Sequence, residues 1–558
     1  MDGRFIGDVG NEGSLLVNGR LTGYVENRGT MEVNGALVGD LINEGFLSGS
    51  GTLYSNVTNS GFLNPGNSPG TLTIRGNYTQ TASGTLLVEI ENSSVHDRLH
   101  VSGRANLAGR LVLDGAEMGD KVRFLRAGSI SGKFDEILYP NGLRLRMIEE
   151  KTSLTALFAP EKYSDLARGH NHTSTARALD RFIGAGGDRG EVSLALDHLR
   201  ADEYANAFQQ ISPAFHETIA TQAINLTQQQ GRLLQQRVGK SRYGIRGFRS
   251  STVETTLQTD RDGKSVHSAK AVKEVVQTEQ EENRWSVWLD GNGIFSKVTQ
   301  AHQVANGKTR SGGFTVGADY AWNPNFVTGL FAGYQGLETK YDDDSRTTMN
   351  GSRFGGYATY NLDSGLYFDG IVWGGVSEYQ THRNIKFGSL NRTARADQQA
   401  GEISALLGTG YDFKPGNWIM GPTASLQYTY LGIKGFEEDG AKSLNLDVDR
   451  QRVHSVRSNL GARIAYRYEV NPDLVIVPEL RASWEYELAN DNRTINAQLS
   501  GKNVSYRTNT EERASLFAGA GVNALFNNRI QTSVNYNLDI GRSNDTAHII
   551  SASFGVNW

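Results

Sequence analysis

An Asn-x-Gly triplet returns at a fixed interval near the start of this chain. Asn11-Glu12-Gly13, Asn27-Arg28-Gly29, Asn43-Glu44-Gly45 and Asn59-Ser60-Gly61 begin 16 residues apart. Between them lie short alternating runs: Leu15 with Val17, Met31 with Val33, then Leu47. Each run suits a strand with one buried face. Each triplet suits a turn, with Asn or Gly able to take left-handed backbone angles. A unit this short cannot bury a core alone, so copies must stack. The spacing predicts a β-solenoid with one rung per repeat over residues 1–57; a string of β-hairpins is the competing arrangement.

From about 58 to 160 the strands continue without that period. Leu72 with Ile74, then Leu86, Val88 and Ile90, then Leu111 with Leu113, then Leu154, Ala156 and Phe158 alternate with other residues. Gly66-Asn67-Ser68-Pro69-Gly70 formally matches G-x-S-x-G. A nucleophile elbow needs a strand before its serine and a helix after it. Here Thr71-Leu72-Thr73-Ile74 reads as strand, and Pro69 biases Ser68 towards extended geometry. A tight turn is the better reading, and no catalytic residue is assigned.

Charge and cysteine content narrow the function classes. The chain has 558 residues, with 56 Lys+Arg against 60 Asp+Glu, a net charge of −4. That balance gives no basic surplus for nucleic acid and no acidic surplus for a disordered chain. Without cysteine, there is no disulfide scaffold, thiolate metal site or Cys nucleophile. No run of 18 apolar residues exists, so no transmembrane helix is expected. Met1-Asp2-Gly3-Arg4 shows no basic segment leading into an apolar one. The expectation is therefore a fragment of a precursor that carries a signal peptide and a longer N-terminal part.

Residues 161–283 read as a linker. Ser212-Pro213 offers an N-cap with Pro at the first helical position. Phe215, Ile219, Ala223, Leu226 and Leu233 then share one helical face, predicting a helix over about 213–238, roughly 39 Å long. Residues 240–268 are polar and read as flexible. A second, weaker helix is expected over 268–283.

The last 275 residues, 284–558, are different again. All seven Trp and 15 of the 22 Tyr lie at or beyond Trp285. Leu474, Ile476, Pro478, Leu480, Ala482, Trp484, Tyr486 and Leu488 share one parity, while Glu479, Arg481, Ser483, Glu485 and Glu487 share the other. Leu460, Ala462, Ile464, Tyr466 and Tyr468 oppose Arg463, Arg467 and Glu469. Ile530, Val534, Tyr536, Leu538 and Ile540 oppose Gln531, Ser533, Asn535, Asn537 and Asp539. Soluble sandwiches also alternate. Long strands, mixed charge on the polar face and aromatics towards the ends of the apolar face favour a transmembrane barrel. Twelve strands are expected, centred near Trp288, Val316, Phe331, Tyr357, Val372, Ala405, Leu426, Ala462, Leu480, Gly519, Val534 and Phe554. An open edge in lipid would strand backbone groups at several kcal/mol each, so the sheet must close. Asn323-Pro324-Asn325 and Phe526-Asn527-Asn528-Arg529 read as short turns; 338–348 and 436–456 read as long external loops. Arg463, Arg467, Glu479, Arg481 and Glu485 are expected to face the lumen.

Two stretches resemble the autotransporter family of type V secretion. Asn64-Pro65-Gly66-Asn67-Ser68-Pro69-Gly70-Thr71-Leu72-Thr73-Ile74, Gly76-Asn77-Tyr78-Thr79-Gln80 and Asp97-Arg98-Leu99-His100-Val101-Ser102-Gly103 are similar to the end of its passengers. Arg98 stands where the family commonly has Gln. The resemblance implies a cap on a right-handed β-helix with an autochaperone role. Gly421-Pro422, Gly435-Phe436-Glu437-Glu438-Asp439-Gly440-Ala441, Ser458-Asn459-Leu460-Gly461 and Pro478-Glu479-Leu480 resemble its translocator barrel. The family places the barrel in the bacterial outer membrane, exports the passenger through it and leaves a linker helix in the pore. Adjacency to Trp285 favours 268–283 for that helix over 213–238. Ile550, Ala552, Phe554, Val556 and Trp558 form a terminal apolar face that resembles the family's outer-membrane assembly signal, carried by Phe554, Val556 and Trp558.

The resemblance implies an outer-membrane translocator with residues 1–160 at the cell surface. Its implied partners are outer-membrane lipid, periplasmic chaperones and the barrel-assembly machinery. A surface adhesin that binds a host or neighbouring cell, and a carrier of an upstream enzyme, are the alternatives. The chain itself is not expected to be an enzyme, and nothing calls for a cofactor. His170 and His172 offer two metal ligands, but no carboxylates stand at ligand spacing, so a solvated turn is expected. Asp342-Asp343-Asp344 reads as a solvated loop rather than a Ca²⁺ site. Gly184, Gly186, Gly187 and Gly190 lack the preceding strand of a phosphate loop. Asn283 is a conceivable cleavage position without a supporting motif.

Overall fold

The computed structural model describes residues 1–67, 69–243, 284–298, 306–489, 492–508, 513–541 and 545–558. The chain forms two compact units. One contains Met1–Ile211 with Ile385–Asn391, and the other contains Ser212–Asn384 with Arg392–Trp558. The predicted helix 268–283, the stretch 244–268 and Asn283 lie outside the described residues, as does Ser68.

The first unit opens as a parallel β-solenoid with three short strands per rung. Partners sit one repeat apart: Val9, Val25, Leu41 and Val57 pair in series, as do Leu21, Leu37 and Leu53. Leu15, Met31, Leu47, Leu63, Leu86 and Leu111 form a third column that runs on into the longer rungs. Stacking leaves these columns almost fully buried, from Met31 and Leu37 to Leu63 and Leu86. The hairpin alternative is excluded, because every one of these pairings is parallel.

The triplets do something other than what the turn argument predicts. Neither their Asn nor their Gly takes a left-handed angle; that conformation falls at Gly7, Gly23 and Gly39, also one repeat apart. The asparagines instead form a buried ladder. Asn11, Asn27 and Asn43 each donate through Nδ2 to Oδ1 of the next asparagine at 2.7 Å, ending on Asn59. Asn59 donates to the Tyr78 hydroxyl at 3.4 Å, which in turn donates to Gln80. Gly29, Gly45 and Gly61 of the triplets are required by the neighbouring rung: a Cβ on Gly45 would lie 2.1 Å from the carbonyl oxygen of Gly29.

Parallel pairing persists beyond the repeat with wider spacing, so Val57 meets Tyr78 and Leu72 meets Leu99. Gly66 to Gly70 leads into the strand Thr71–Ile74, not a helix, so the elbow geometry is absent. Asp97 fastens this turn: its carboxylate accepts from the amides of Gly70 at 2.9 Å and Glu89 at 3.0 Å. Antiparallel Leu143–Glu150 and Ser153–Pro160 close the stack. Three helices then follow: α1 (Gly169–Leu179), α2 (Gly187–Asp197) and α3 (Tyr204–Ile211). His170 and His172 lie in the first turn of α1, not a solvated turn, and the His172 ring is 6.2 Å from that of Phe208. Gly186 does cap a helix, α2, but a 3-10 turn and α1 precede it rather than a strand.

The second unit contains a closed antiparallel barrel. Its strands are β1 (Trp285–Val298), β2 (Gly307–Asn323), β3 (Phe326–Tyr341), β4 (Arg346–Asn361), β5 (Leu366–Phe387) and β6 (Leu390–Tyr411), then β7 (Trp418–Ile433), β8 (Gln451–Tyr466), β9 (Leu474–Glu487), β10 (Ala514–Phe526), β11 (Ile530–Gly541) and β12 (Asp545–Asn557). Each pairs with its sequence neighbours, and β1 pairs with β12 to complete the ring. All twelve expected strand centres fall inside these spans. The turns at 324–325 and 527–529 are short as expected, with Asn527 and Asn528 left-handed. The loop expected over 338–348 is only the four residues 342–345, because β3 and β4 run well past the apolar band. The segment 436–456 is not a loose loop either. Phe436–Glu437 and Leu446–Val448 join Thr494–Leu499 and Lys502–Arg507 in a small four-stranded sheet.

The barrel's apolar parity points outwards. Leu330, Phe354, Leu407 and Leu480 are 72%, 73%, 68% and 60% exposed. Trp285, Trp322, Phe368, Trp418, Phe526 and Trp558 are exposed near the short-turn rim. Such a face is costly in water and favourable against hydrocarbon flanked by interfaces. No described helix is long and apolar enough to cross a membrane.

Candidate functional site

The lumen of the barrel holds a helix. Ser212 caps a 3-10 turn, Pro213–His216, by accepting the amide of Ala214, and α4 follows over Glu217–Gly239. Among the described residues α4, the helix expected over about 213–238, is the one that lies in the lumen, and the helix expected over 268–283 falls outside them.

The two halves of α4 meet different surroundings. Ile219, Ala220, Ala223 and Leu226 pack among inward-facing Ile294, Leu337, Met349, Leu431 and Ile549. Lower down, Leu234 and Val238 pack with Trp288, Phe331, Tyr357 and Trp373. On its other faces the helix carries amides and cations matched to the wall. Gln222 donates to Thr339 at 3.0 Å and to Tyr341 at 3.1 Å. Arg232 pairs with Glu485 at 3.0 Å and Asp539 at 2.7 Å. Arg237 donates to Asp319 at 2.7 Å, Gln531 at 2.7 Å and Ser286 at 2.9 Å. Lys240 reaches Ser533 at 3.0 Å, and Arg242 reaches Asp369 at 2.8 Å. Clustering cations at the helix C-terminus also suits its dipole. α4 carries Gly231 against the wall; a Cβ there would lie 2.5 Å from the Gln427 side-chain oxygen.

Four of the five singled-out charges meet this helix or its tail. Glu485 holds Arg232, and Glu479 accepts from the Tyr243 hydroxyl at 2.5 Å. Arg463 bonds Asp412 at 2.5 Å and lies against the Tyr243 ring, while Arg467 donates to the Tyr243 carbonyl at 2.9 Å. Arg481 bonds wall residues instead, Asn535 at 3.1 Å and Asn537 at 3.0 Å. Asp319, Asp369, Glu402 and Arg457 escaped the sequence argument, although each sits on the inward parity of its strand. Reading parity along β2, β5 and β6 as well would have found the first three. At the upper end, the buried His216 ring contacts Glu438 at 2.9 Å, and Glu438 also holds Arg383 at 2.9 Å.

The last strand keeps Phe554 and Trp558 on the outward face, 50% and 54% exposed, with Val556 partly covered between them. Trp558 and Trp285 exchange both backbone hydrogen bonds at 2.9 Å, so the final residue helps close the ring.

The geometry is that of a closed ring with a charge-matched helix inside. Residues 287–537 match the autotransporter β-domain model. The barrel is an autotransporter β-domain. Relatives agree: the probable autotransporter YpjA of Escherichia coli K12 is 28% identical over 253 residues, 44% of this chain and 15% of that protein. Esterase EstA of Pseudomonas aeruginosa is 25% identical over 214 residues, 37% of this chain and 32% of that protein. The chain thus spans well under half of either relative. The solved translocator domain of NalP from Neisseria meningitidis is 15% identical, with a TM-score of 0.40, covering 50% of this chain and 90% of that one. Membership of this outer-membrane barrel family accounts for both faces of the autotransporter wall. The outer one is apolar, and the inner one meets α4 with apolar side chains on some faces and with polar or charged partners on others.

Proposed function

We propose that this chain anchors itself in the bacterial outer membrane, exports its N-terminal β-helical unit and displays it at the cell surface. The observation that carries the reading is the closed barrel with α4 bonded to its inner wall. A sealed ring gives polar chain a route through lipid, and α4 then fills that route. No nucleotide is needed, because rung-by-rung burial of the solenoid outside opposes backsliding. On this reading residues 58–160 cap the stack and promote its folding. The native precursor carries a signal peptide. Phe554, Val556 and Trp558 serve as the signal read by the barrel-assembly machinery after delivery by periplasmic chaperones.

The test is protease shaving of intact cells that produce the chain. Residues 1–160 should be cut from outside, and deletion of Phe554–Trp558 should abolish that cutting. Unchanged surface cutting of the truncated chain would refute the signal. A second reading, carriage of a catalytic passenger, is supported by EstA, named as an esterase and matched over only 32% of its length. An adhesive solenoid remains the alternative for the displayed unit, with a host or neighbouring-cell surface as its ligand.

A further inference from the structure

We propose that the barrel carries a binding site for lipid phosphate on its outer wall, formed by Lys297, Lys308 and Arg310 at the rim away from the short turns. The strand register builds it. Lys297 lies opposite Lys308, and Lys308 lies opposite Lys340. Lys340 lies opposite Arg346, and Arg346 lies opposite His382. Five neighbouring strands thus set basic residues side by side, about 5 Å apart at Cα. Like charges directly opposite each other destabilise a sheet, so this row calls for an anion.

The acids nearby do not meet that need at β1 and β2. Glu338 lies opposite Arg310 in the register, but its carboxylate is engaged by Arg346 at 3.3 Å and Lys340 at 3.7 Å. Asp342–Asp344 stand at the hairpin tip, beyond the row. Lys297, Lys308 and Arg310 are exposed and have no ion-pair or hydrogen-bond partner among the described residues.

Their depth identifies the anion. Phe295 stands two positions before Lys297 on the same face, and Phe314 stands four beyond Arg310; both are 49% exposed. Two positions along a strand are about 7 Å. Arg310 lies opposite Phe295, with Lys297 and Lys308 two residues beyond, so the three cations sit at the edge of an apolar band, at the level of headgroup phosphates. Strand tilt carries the row outwards from β1 to β5, so Arg346 and His382 stand farther from lipid than Lys297 does. The site rests on the membrane placement proposed above. Its ligand is a lipid with a phosphomonoester headgroup, its acyl chains lying along Phe295 and Phe314.

The test uses the full chain in uncharged detergent, offered phosphatidic acid or phosphatidylcholine with the same acyl chains, with bound lipid counted by native mass spectrometry. Phosphatidic acid should be retained in roughly tenfold excess or more. K297Q/K308Q/R310Q should lose that excess, and a control with Arg4, Arg20 and Arg104 of the solenoid changed to Gln should keep it. Heat-modifiable gel migration reads barrel folding separately. A folded triple variant with undiminished phosphatidic acid, or equal retention of both lipids by the parent chain, would overturn the site. Failure of the parent chain to show heat-modifiable migration would overturn the membrane reading and the site together.

Discussion

Arg237 offers the sharpest test of whether α4 is held by ion pairing or merely trapped. Its guanidinium forks onto Asp319 at 2.7 and 3.1 Å, reaches Gln531 and Ser286, and lies over the Trp288 ring at 5.2 Å. Both side chains of the pair are buried, 7% and 2% exposed. Changing Arg237 to Met keeps much of the volume and removes the charge. Breaking one side of a buried pair costs about 3–5 kcal/mol, because the partner's charge stays buried. Asp319 keeps a hydrogen bond from the Tyr357 hydroxyl at 2.7 Å, which points to the lower end of that range. A loss of about 3 kcal/mol is a factor of roughly 150 in helix retention. Removing both charges in Arg237→Met with Asp319→Asn should recover most of the loss, since a buried pair replaced as a whole is often close to neutral. The assay is single-channel conductance of the full chain in planar bilayers, where release of α4 opens the lumen. The parent should stay closed, the single variant should open often, and the double variant should close again. Equal closed fractions for all three would refute the argument that this pair secures the helix.

Leu480→Arg should destabilise the barrel more than Arg481→Leu, because Leu480 faces outwards and a charge at mid-depth in lipid costs about 2–4 kcal/mol. Equal shifts in the heat-modifiable transition would contradict the facing. Asn43→Asp should cost about 2–6 kcal/mol, since it strips the bonds to Asn59 at 2.7 Å and Phe62 at 2.9 Å from a fully buried position. Asn92→Asp, at an exposed position where Oδ1 accepts from the Ser94 and Val95 amides, should stay within about 0.5 kcal/mol in the same thermal unfolding scan. Burial and nearby Arg98 hold the His96 imidazole below its ordinary 6.5. The solenoid should therefore lose stability as pH falls below that value, and His96→Gln should flatten this dependence in a melting series; an unaltered slope would exclude His96 as its source.

The sequence alone determined the elements that rest on local periodicity. A constant interval between triplets forces equal rungs, and a two-residue alternation over a dozen positions forces a strand with two unlike faces. The solenoid and all twelve barrel strands were therefore legible, as was the inward parity of Arg463, Glu479 and Glu485. Helices α1 and α2 were missed because their patterns are weak and Gly184, Gly186 and Gly187 fall between them; α3, whose Tyr204, Ala207, Phe208 and Ile211 do share a face, was missed because it is only eight residues long. The loop expected over 338–348 shrank because polar residues there continue β3 and β4 beyond the apolar band, where alternation of polarity no longer marks a strand.

Tertiary structure decided what those elements touch. That Asn27 bonds Asn43, rather than shaping a turn, depends on rungs lying directly over one another. Which helix occupies the lumen depends on Arg232 meeting Glu485 and Arg237 meeting Asp319, partners 253 and 82 residues away. Such matches carry no local signal. They exist only once the ring has closed, because closure brings distant strands around one axis and buries charges that can remain ionised only if paired.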